Sequence, residues 1–295
     1  MGLLRKSLTA ALAFGGMVMA SSLERVNNFG ENDSHTKMYI YVPDRVVPNP
    51  AIVVAMHYCA DTATGYFGST PYAGLADVHG FLVIYPESPY GGTCWDISSP
   101  AALSHDGGGD SNSIANMVIW TLDKFHADAS RVYAVGSLSG AMMTNVLAAT
   151  YPDLFAAAVV YSGVPHSCFY TGTENGWNST CSSGQLNLTQ EYWAGKVEEA
   201  YPGYNGSRPR MRIHHGLADT TISPQNYFET IKQWTGVFGY PEKPSQTYPN
   251  NPAIPYTRYV YGPNVEGVLG QGITHEIDQF GEADMEWFGL TGFEV

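Results

Sequence analysis

The sequence predicts an α/β fold, in which a mostly parallel central sheet is covered by helices on both faces. Short, continuously apolar runs bounded by turn-forming residues recur along the chain, as expected of strands that are buried on both sides. Segments with apolar residues at helical spacing separate these runs. Alternation of this kind is typical of a layered α/β domain. Because no internal repeat, low-complexity tract or polar linker interrupts the pattern, residues 21–295 are predicted to form one domain.

Each predicted element follows from its own composition. The strand-like runs are rich in β-branched or aromatic residues, and the third of them opens at Gly80 and ends at Pro86. In the first predicted helix, apolar residues recur at helical spacing behind Ser111 and Ser113, which are expected to cap it. The predicted strands are 38–42, 51–56, 81–85, 131–135, 156–161 and 211–214, and the predicted helices are 114–125, 141–150 and 225–237.

The first twenty residues predict a secretory signal peptide. Arg5 and Lys6 form a short positive region, residues 7–19 are mostly apolar, and residues 18–20 fit the small-x-small pattern of a cleavage site. The apolar stretch is too short to cross a bilayer. We therefore expect a secreted, extracellular protein that is cut after Ala20. Loss of Arg5 and Lys6, and of no acidic residue, changes the formal net charge from −13 to −15.

The acidic composition excludes one class of partner. Nucleic acid phosphates need Lys and Arg, so we expect no nucleic acid to bind a chain whose formal net charge is −13. No later segment resembles a membrane span, so no membrane partner is expected either. We expect the chain to act as a monomer. Its twenty tyrosines and six tryptophans could stack on sugar rings, although ordinary packing also accounts for aromatic residues.

The four cysteines predict two disulfides. An even number of cysteines in an exported protein indicates disulfide pairing, and the sequence alone permits three pairings of Cys59, Cys94, Cys168 and Cys181. We favour Cys59–Cys94 and Cys168–Cys181, the second of which closes a short loop. No C-x-x-C motif or His/Cys cluster has the spacing of metal ligands, so we expect no metal and no cofactor.

Four N-x-S/T sequons lie in the chain. In an exported eukaryotic protein they would make N-glycosylation plausible, and every occupied sequon would have to lie on the surface. The four asparagines are Asn32, Asn178, Asn187 and Asn205.

The segment with the clearest chemical meaning runs from 132 to 143. A strand-like run enters a tight glycine-flanked turn, Gly136-Ser137-Leu138-Ser139-Gly140, and a helix-like run follows. This is the context of the nucleophile elbow G-x-S-x-G of α/β-hydrolases, in which small neighbours are needed because the central residue occupies a strained turn. The central position in this chain is Leu138.

Several long strings along the chain are similar to one family, the fungal acetylxylan esterases of carbohydrate esterase family 1, which are related to poly(3-hydroxybutyrate) depolymerase-like esterases. The resemblance implies an α/β-hydrolase with a Ser-Asp-His triad that removes acetyl groups from xylan, and a serine at position 138. The strings are His57-Tyr58-Cys59, Tyr85-Pro86, Cys94-Trp95-Asp96, Gly107-Gly108-Gly109, Ser111-Asn112-Ser113-Ile114-Ala115-Asn116-Met117, Gly140-Ala141-Met142-Met143-Thr144-Asn145 and Asp284-Met285-Glu286-Trp287-Phe288-Gly289.

The remaining triad members can be placed by chain order, because an α/β-hydrolase orders them nucleophile, acid, base. Asp219 follows the predicted strand 211–214 where the resemblance implies the acid, and the alternative is an aspartate that caps the next turn. His275 stands where the family has Gly-x-Gly-His, with Thr274 in place of a glycine; the alternative is a surface histidine. We interpret His214 and His215 as packing at a strand end, and a third histidine, residue 57, as pocket wall.

Further site residues follow from the same frame. The oxyanion hole is expected to use the backbone N–H of Ser139 and a second N–H from the segment after strand 51–56, either that of Cys59 or that of Ala60. Trp95 and the loop 107–112 are candidates for sugar contacts, with simple loop packing as the alternative. Within that loop the candidates are Gly108 and Asn112.

Leu138 decides what the chain can do. Leucine has no nucleophilic atom, so acyl transfer cannot start there, and loss of the nucleophile from such a triad costs about six decades in kcat. A shift of one residue would centre the elbow on Ser139, but it would move the nucleophile out of line with His275. Ser137 is a worse candidate, because Val135 would then occupy a flank that must be small.

Two functional classes therefore stay open. In the first, the protein is an esterase by descent that has lost one residue and is inactive or nearly so, with acetylated xylan as substrate and feruloyl or short polyester bonds as alternatives. In the second, the protein is a non-catalytic carbohydrate-binding protein. Retention of Asp219 and His275 favours the first class.

Overall fold

A ten-stranded sheet forms the centre of the molecule in the computed structural model, which describes residues 22–90 and 94–292. The predicted signal peptide lies outside the described residues. The strands are β1 (Leu23–Val26), β2 (Lys37–Tyr41), β3 (Ile52–Met56), β4 (Leu82–Glu87), β5 (Val132–Ser137), β6 (Ala157–Tyr161), β7 (Arg210–Gly216), β8 (Gln246–Pro249), β9 (Tyr256–Gly262) and β10 (Val265–Gly270).

The strand order across the sheet is β1-β2-β4-β3-β5-β6-β7-β10-β9-β8. The six strands from β4 to β10 in this order pair in parallel, and the strands at the two edges pair antiparallel. The predicted α/β architecture is therefore confirmed. Parallel strands share one carboxyl edge, so the segments that follow β5, β7 and β10 emerge at the same edge of the sheet.

Helices cover both faces of the sheet. They are α1 (Ala63–Ser69), α2 (Tyr72–His79), α3 (Asp110–Phe125), α4 (Ser139–Thr150), α5 (Ser179–Ser182), α6 (Gln190–Ala200), α7 (Gln225–Phe238) and α8 (Gly281–Phe288). Apolar residues of α3, α4, α6 and α7 pack in one buried cluster, and those of α1, α2 and α8 pack in another. Strand β3 contributes residues to both clusters, with Ile52 and Val54 in the first and Val53 in the second. This follows because successive side chains of a strand point to opposite faces of the sheet.

Two local predictions are wrong. Strand β4 does not end at Pro86 but runs through it to Glu87. The pairing of β4 with β3 stops at Ile84, so the proline removes no donor on that side. Helix α3 begins at Asp110 and has Gly109, not a serine, at its N-cap; the hydroxyl of Ser111, inside the helix, donates instead to the Ala102 carbonyl at 2.7 Å.

The favoured disulfide pairing is confirmed. Cys59 bonds Cys94 and Cys168 bonds Cys181.

None of the helices in residues 22–90 and 94–292 is long and apolar enough to cross a membrane.

The four sequons differ in exposure. Asn187 and Asn205 are exposed, whereas Asn32 and Asn178 are half-buried. The side-chain amide nitrogens of Asn32 and Asn178 donate to the carbonyl oxygens of Thr36 (2.8 Å) and Tyr170 (3.3 Å). The side chain of Asn187 is also hydrogen-bonded, but there the amide oxygen accepts from Lys232 Nζ at 2.7 Å.

Candidate active site

The turn between β5 and α4 has the geometry of an elbow centred on Leu138. Leu138 has φ 54° and ψ −113°, a conformation that non-glycine residues rarely adopt. Its N–H donates to the Tyr161 carbonyl at 2.8 Å, and its own carbonyl accepts the N–H of Met142 at 3.0 Å. A residue held in such a conformation stores about 1–3 kcal/mol of strain, and it persists because the surrounding backbone fixes it.

The two glycines of the elbow are required by close backbone packing. A Cβ on Gly136 would overlap the backbone of Gly140, and a Cβ on Gly140 would overlap the carbonyl of Met56. Any side chain at either position would force strands β3 and β5 and helix α4 apart. The frame that the glycines define is centred on Leu138, not on the neighbouring Ser139.

Asp219 and His275 meet at the same edge of the sheet. Asp219 follows β7, and His275 lies in the loop between β10 and α8. The Nδ1–H of His275 donates to Asp219 Oδ2 at 2.7 Å. The other carboxylate oxygen accepts the N–H groups of Thr221 and Ile222, each at 2.9 Å. Asp219 therefore does cap the turn that follows it, and it holds the imidazole as well.

His215 is a third partner of the acid. It is buried, and its Nε2 lies 3.2 Å from Asp219 Oδ2 and 3.0 Å from the Ile222 carbonyl oxygen. Burial alone would raise the pKa of Asp219, but hydrogen bonds from His215, His275 and Ile222 outweigh it and hold that pKa well below its usual range. The interpretation of His215 as packing at a strand end missed its bond to the acid. The available signal in the sequence was that His215 lies four residues before Asp219.

Leu138 stands between two pockets. The first, the apolar pocket, has a volume of about 310 Å³ and also contains His275 and Ser139. Its walls are mainly the Cys59–Cys94 disulfide, Trp95, Met142, Phe169, Trp177 and Ile222. The second, the polar pocket, has a volume of about 220 Å³ and is lined by hydroxyl, amide and carboxyl groups of Tyr58, Tyr66, Ser137, Glu276, Asp278 and Gln279, among others.

The two neighbouring serine hydroxyls are bound elsewhere. Ser137 Oγ is 2.8 Å from the Tyr66 hydroxyl and accepts the Gln279 amide N–H at 2.7 Å. Ser139 Oγ accepts the backbone N–H of Trp95 at 2.7 Å. Both hydroxyls are thus bonded to groups other than His275, which disfavours either serine as a substitute nucleophile.

The residues predicted to contact sugar do not lie together in the structure. Trp95 lines the apolar pocket but is only 1% exposed, with its ring N–H donating to the His57 carbonyl at 2.8 Å. Gly108 lies in the turn before α3. Asn112 Oδ1 accepts the Tyr151 hydroxyl at 2.7 Å, just beyond the C-terminal end of α4. Because α4 has twelve residues and is about 18 Å long, Asn112 lies far from Leu138.

The pocket wall itself differs from the prediction. The ring of His57 is buried behind Trp95, with centroids 4.9 Å apart, and its Nε2 accepts the Ser88 N–H at 3.1 Å. Trp177, which the sequence interpretation missed, forms the rim instead and is 57% exposed, with its ring packed edge-on against Phe169 at 5.0 Å. A single tryptophan within a Gly/Asn/Ser-rich loop was the available signal.

Asp96 joins the two loops that carry these tryptophans. Its Oδ1 accepts the backbone N–H groups of Ser98 and Asn175, both at 3.0 Å. The hydroxyl of Ser98 in turn accepts the Gly176 N–H at 2.7 Å. The wall at Trp95 and the rim at Trp177 are therefore held at a fixed separation by a buried carboxylate.

The predicted oxyanion donors lie close to this site. Cys59 and Ser139 line the apolar pocket together with Leu138, and Ala60 is the next residue in a turn with φ 62°. No group of three His, Cys, Asp or Glu side chains is arranged to hold a metal ion in the part of the chain that the structure describes.

Known proteins resemble this chain closely. A probable acetylxylan esterase A of Aspergillus fumigatus is 57% identical over 278 residues, which are 93% of this chain and 75% of that protein. Acetylxylan esterase A of Aspergillus oryzae is 56% identical over 275 residues, covering 92% of this chain and 90% of that one. The solved structure of an acetyl xylan esterase from Aspergillus awamori superposes with a TM-score of 0.91 at 55% identity, covering 92% of this chain and all of that chain.

More distant matches agree on the fold. Residues 37–173 match the family model described as esterase PHB depolymerase. The structure of an S-formylglutathione hydrolase from Staphylococcus aureus, which is 16% identical, superposes with a TM-score of 0.55 over 91% of this chain and 98% of that one. The predicted resemblance is confirmed, and the chain belongs to the acetylxylan esterase A family of carboxylic ester hydrolases, with the α/β-hydrolase fold.

Proposed function

We propose that the protein is a secreted acetylxylan esterase scaffold whose reaction centre comprises position 138, Asp219 and His275, and that it is inert or nearly inert toward esters because residue 138 is leucine. One observation carries this proposal. The 2.7 Å hydrogen bond that His275 Nδ1–H donates to Asp219 holds His275 in the apolar pocket that Leu138 also lines. The base of an acid–base pair thus shares a pocket with the central residue of an elbow that lacks a nucleophilic atom.

With serine at position 138, the geometry supports acyl transfer. Nε2 of His275 would take the hydroxyl proton while the serine oxygen bonds the acetyl carbon, and Asp219 would hold the imidazole in the tautomer that makes this transfer effective. The N–H of Ser139, with that of Cys59 or Ala60, would stabilise the oxyanion. Collapse would release the sugar hydroxyl, which regains the proton from His275, and water would then release acetate by the same steps.

With leucine at position 138, the same site has no route to an acyl-enzyme. Leucine offers neither a lone pair nor a transferable proton. Loss of the nucleophile in a comparable triad costs about six decades in kcat, and binding and the oxyanion hole would account for whatever rate remains. Backbone donors do not depend on the side chain at 138, so ligand binding can outlast turnover.

Acetylated xylan is the proposed substrate, because the similar proteins are named as acetylxylan esterases. An acetylated sugar has an apolar methyl group and polar hydroxyl groups, and the two pockets beside Leu138 offer one apolar and one polar lining. The apolar pocket can accept the methyl group of an acetyl ester, and the polar pocket offers hydroxyl, amide and carboxyl groups to sugar hydroxyls. A feruloyl or polyester substrate would need the apolar pocket to accept a larger acyl group.

Secretion and a single esterase domain from residue 21 onward complete the proposal. Two disulfides among the described residues fit an oxidising compartment. The signal-like segment 1–20 supports export by the same reasoning as above. We expect the mature chain to act as a monomer.

A non-catalytic carbohydrate-binding protein is the second candidate, and Leu138 itself favours it. In that case both pockets would still bind xylo-oligosaccharide, and binding without hydrolysis would be the function of the protein. A serine codon at position 138 in the gene would exclude this candidate.

Replacement of Leu138 by serine tests the proposal. We expect Leu138→Ser to raise hydrolysis of p-nitrophenyl acetate by several decades, and an organophosphate to label residue 138 of the variant but not the parent. Leu138→Ala is the matched control, because it removes the same bulk and adds no nucleophile. Hydrolysis by the parent with label on Ser139 would show that the elbow is centred one residue later than proposed.

A further inference from the structure

A third pocket lies immediately beside the active site. This tyrosine pocket has a volume of about 390 Å³, and its lining includes Leu103, His166, Ser167, Tyr170, Tyr192 and Lys196. It shares a wall with the apolar pocket, because Phe169 lines the one and Tyr170, the next residue, lines the other. The backbone of residues 169–170 is therefore the boundary between the two pockets.

Two tyrosines that line the tyrosine pocket are exposed to solvent. Tyr170 is 54% exposed and Tyr192 is 47% exposed. Both are held on rigid supports, since Tyr192 lies on α6 and Tyr170 follows the disulfide residue Cys168 by two positions. Exposed aromatic residues that border one pocket are typical of a binding surface, where the ring covers an apolar face and the hydroxyl stays wet.

The lining of the tyrosine pocket contains a histidine nitrogen without a partner among the described residues, and its charged groups offset each other. His166 is 1% exposed, and its Nδ1 has no hydrogen-bond partner among the described residues. Burial, helped by Lys196 and Arg208, lowers the pKa of His166 to about 3, so its ring is neutral at physiological pH. Lys196 is paired with Glu199 at 2.6 Å. The two charged side chains of the lining are thus already paired with each other, which favours an uncharged ligand.

Ser167 adds a strained polar group to the same lining. Its φ is 68°, in the left-handed region where glycine is unstrained and serine is not. Residues held in this way cluster at ligand sites. Glycine would relieve the strain but would offer no hydroxyl to the pocket.

We propose that the tyrosine pocket is a second binding site for the uncharged sugar chain of xylan, adjoining the active site. The two tyrosines would pack against the apolar faces of the sugar rings, while Ser167 and the neutral His166 would meet sugar hydroxyls. This inference rests on the proposed function for the identity of the sugar. It assigns the recognition of the main chain, as distinct from the acetyl group, to residues outside the active site.

Binding of xylohexaose without acetyl groups tests the proposal, measured by isothermal titration calorimetry on the full secreted chain. Tyr192 lines the tyrosine pocket but not the apolar one, so Tyr192→Ala reports on the second site alone. We expect it to weaken the Kd about fivefold, and Tyr170→Ala to do the same. Tyr248→Ala is the matched control, because Tyr248 is 40% exposed and lies on the edge strand β8.

Ser167→Gly gives an independent test. We expect this variant to melt at a higher temperature, because the strain is relieved, yet to bind xylohexaose about fivefold more weakly, because a hydroxyl is lost. Affinity equal to that of the parent in Tyr192→Ala and in Ser167→Gly would overturn the second site, whatever the activity of Leu138→Ser. Conversely, an inactive Leu138→Ser variant would overturn the proposed reaction and leave this binding result in place.

Discussion

The elbow at Leu138 and the acid–base pair of Asp219 and His275 are built by different means. The elbow is a backbone structure, fixed by the close approach of Gly136 and Gly140 to their neighbours. The acid–base pair is a side-chain structure, in which one carboxylate accepts bonds from two imidazoles and two backbone N–H groups. A side-chain change at position 138 is therefore expected to leave the elbow intact, whereas a change at Asp219 would disturb the bonds to both imidazoles and to the turn that follows.

This contrast supports the proposal that the chain keeps the architecture of a hydrolase but has no nucleophile at position 138. The strain at position 138 is borne by the fold and is much the same for any residue with a Cβ. The orientation of His275, by contrast, depends on one carboxylate oxygen at 2.7 Å. We therefore expect one substitution at position 138 to change activity without disturbing the fold, whereas a substitution of Asp219 should also release His275.

The largest effect is expected when the acid is neutralised in an active background. In Leu138→Ser, the further change Asp219→Asn should lower kcat about 10⁴-fold, because the amide no longer selects the imidazole tautomer that accepts the serine proton. Steady-state hydrolysis of p-nitrophenyl acetate measures this loss. Asp128→Asn is a matched control, because it makes the same change of carboxylate to amide near the surface, outside both pockets beside Leu138, and should change kcat little. Near-full activity with asparagine at 219 would show that His275 is oriented by other groups.

The next effect concerns stability and breaks the elbow itself. Gly140→Ala should lower the free energy of unfolding by about 3 kcal/mol, since the added Cβ overlaps the Met56 carbonyl and helix α4 must shift. Gly195→Ala in α6 is the matched control, because nothing lies within 4 Å of its added Cβ, and it should stabilise the protein by about 0.5–1 kcal/mol. Urea denaturation measures both. Equal stabilities of the two variants would mean that the elbow is looser than described.

Much of the fold and of the site could be predicted from the sequence, for a physical reason. Strands β3 to β6 are mainly apolar runs because both faces are buried, and the order nucleophile, acid, base is that of the α/β-hydrolase fold. Strand β10 was missed because Glu266 interrupts its apolar pattern. That glutamate is 7% exposed and pairs with Arg212 and Arg258, each at 2.9 Å, which no local pattern reveals.

For the site as well, local sequence patterns could not predict the contacts that depend on long-range packing. Asp219 was placed by the predicted strand before it and His275 by its likeness to the family's Gly-x-Gly-His pattern, and the structure brings the two side chains together. Asn112 and His215 depend on long-range packing: the first lies at the far end of α4 and the second against the acid. Sequence patterns locate a residue along its own element, but they do not say which distant element covers it.

A third prediction contrasts the buried acid with a surface one. Hydrogen bonds hold the pKa of Asp219 below its unfolded value, so the charged form stabilises the fold above about pH 4 and the effect fades as the pH falls through the folded-state pKa. The difference in free energy of unfolding between the parent and Asp219→Asn should therefore be larger at pH 7 than at pH 3. Hydrogen bonds from Ser130 and Arg131 also lower the pKa of Asp128, to about 2, but this group is near the surface. Salt should weaken the corresponding effect of Asp128→Asn more, and a difference at Asp219 that does not vary with pH would contradict the network.

The smallest expected effect is the stability change in the variant with the largest gain in activity. Leu138→Ser should alter the free energy of unfolding by less than about 1 kcal/mol. Serine and leucine both carry a Cβ and share the strain of the positive φ, and Leu138 is only half-buried between the two pockets, so it loses little apolar contact. Urea denaturation of the two proteins gives the value directly, and Leu147→Ala in the fully buried part of α4 provides the scale of a true core loss, about 2–5 kcal/mol. If Leu138→Ser proves as costly as Leu147→Ala, the leucine is a packing residue on which the fold has come to depend. If it is nearly neutral, the elbow is a backbone frame that tolerates any small change at its centre, and the side chain at position 138 governs chemistry alone.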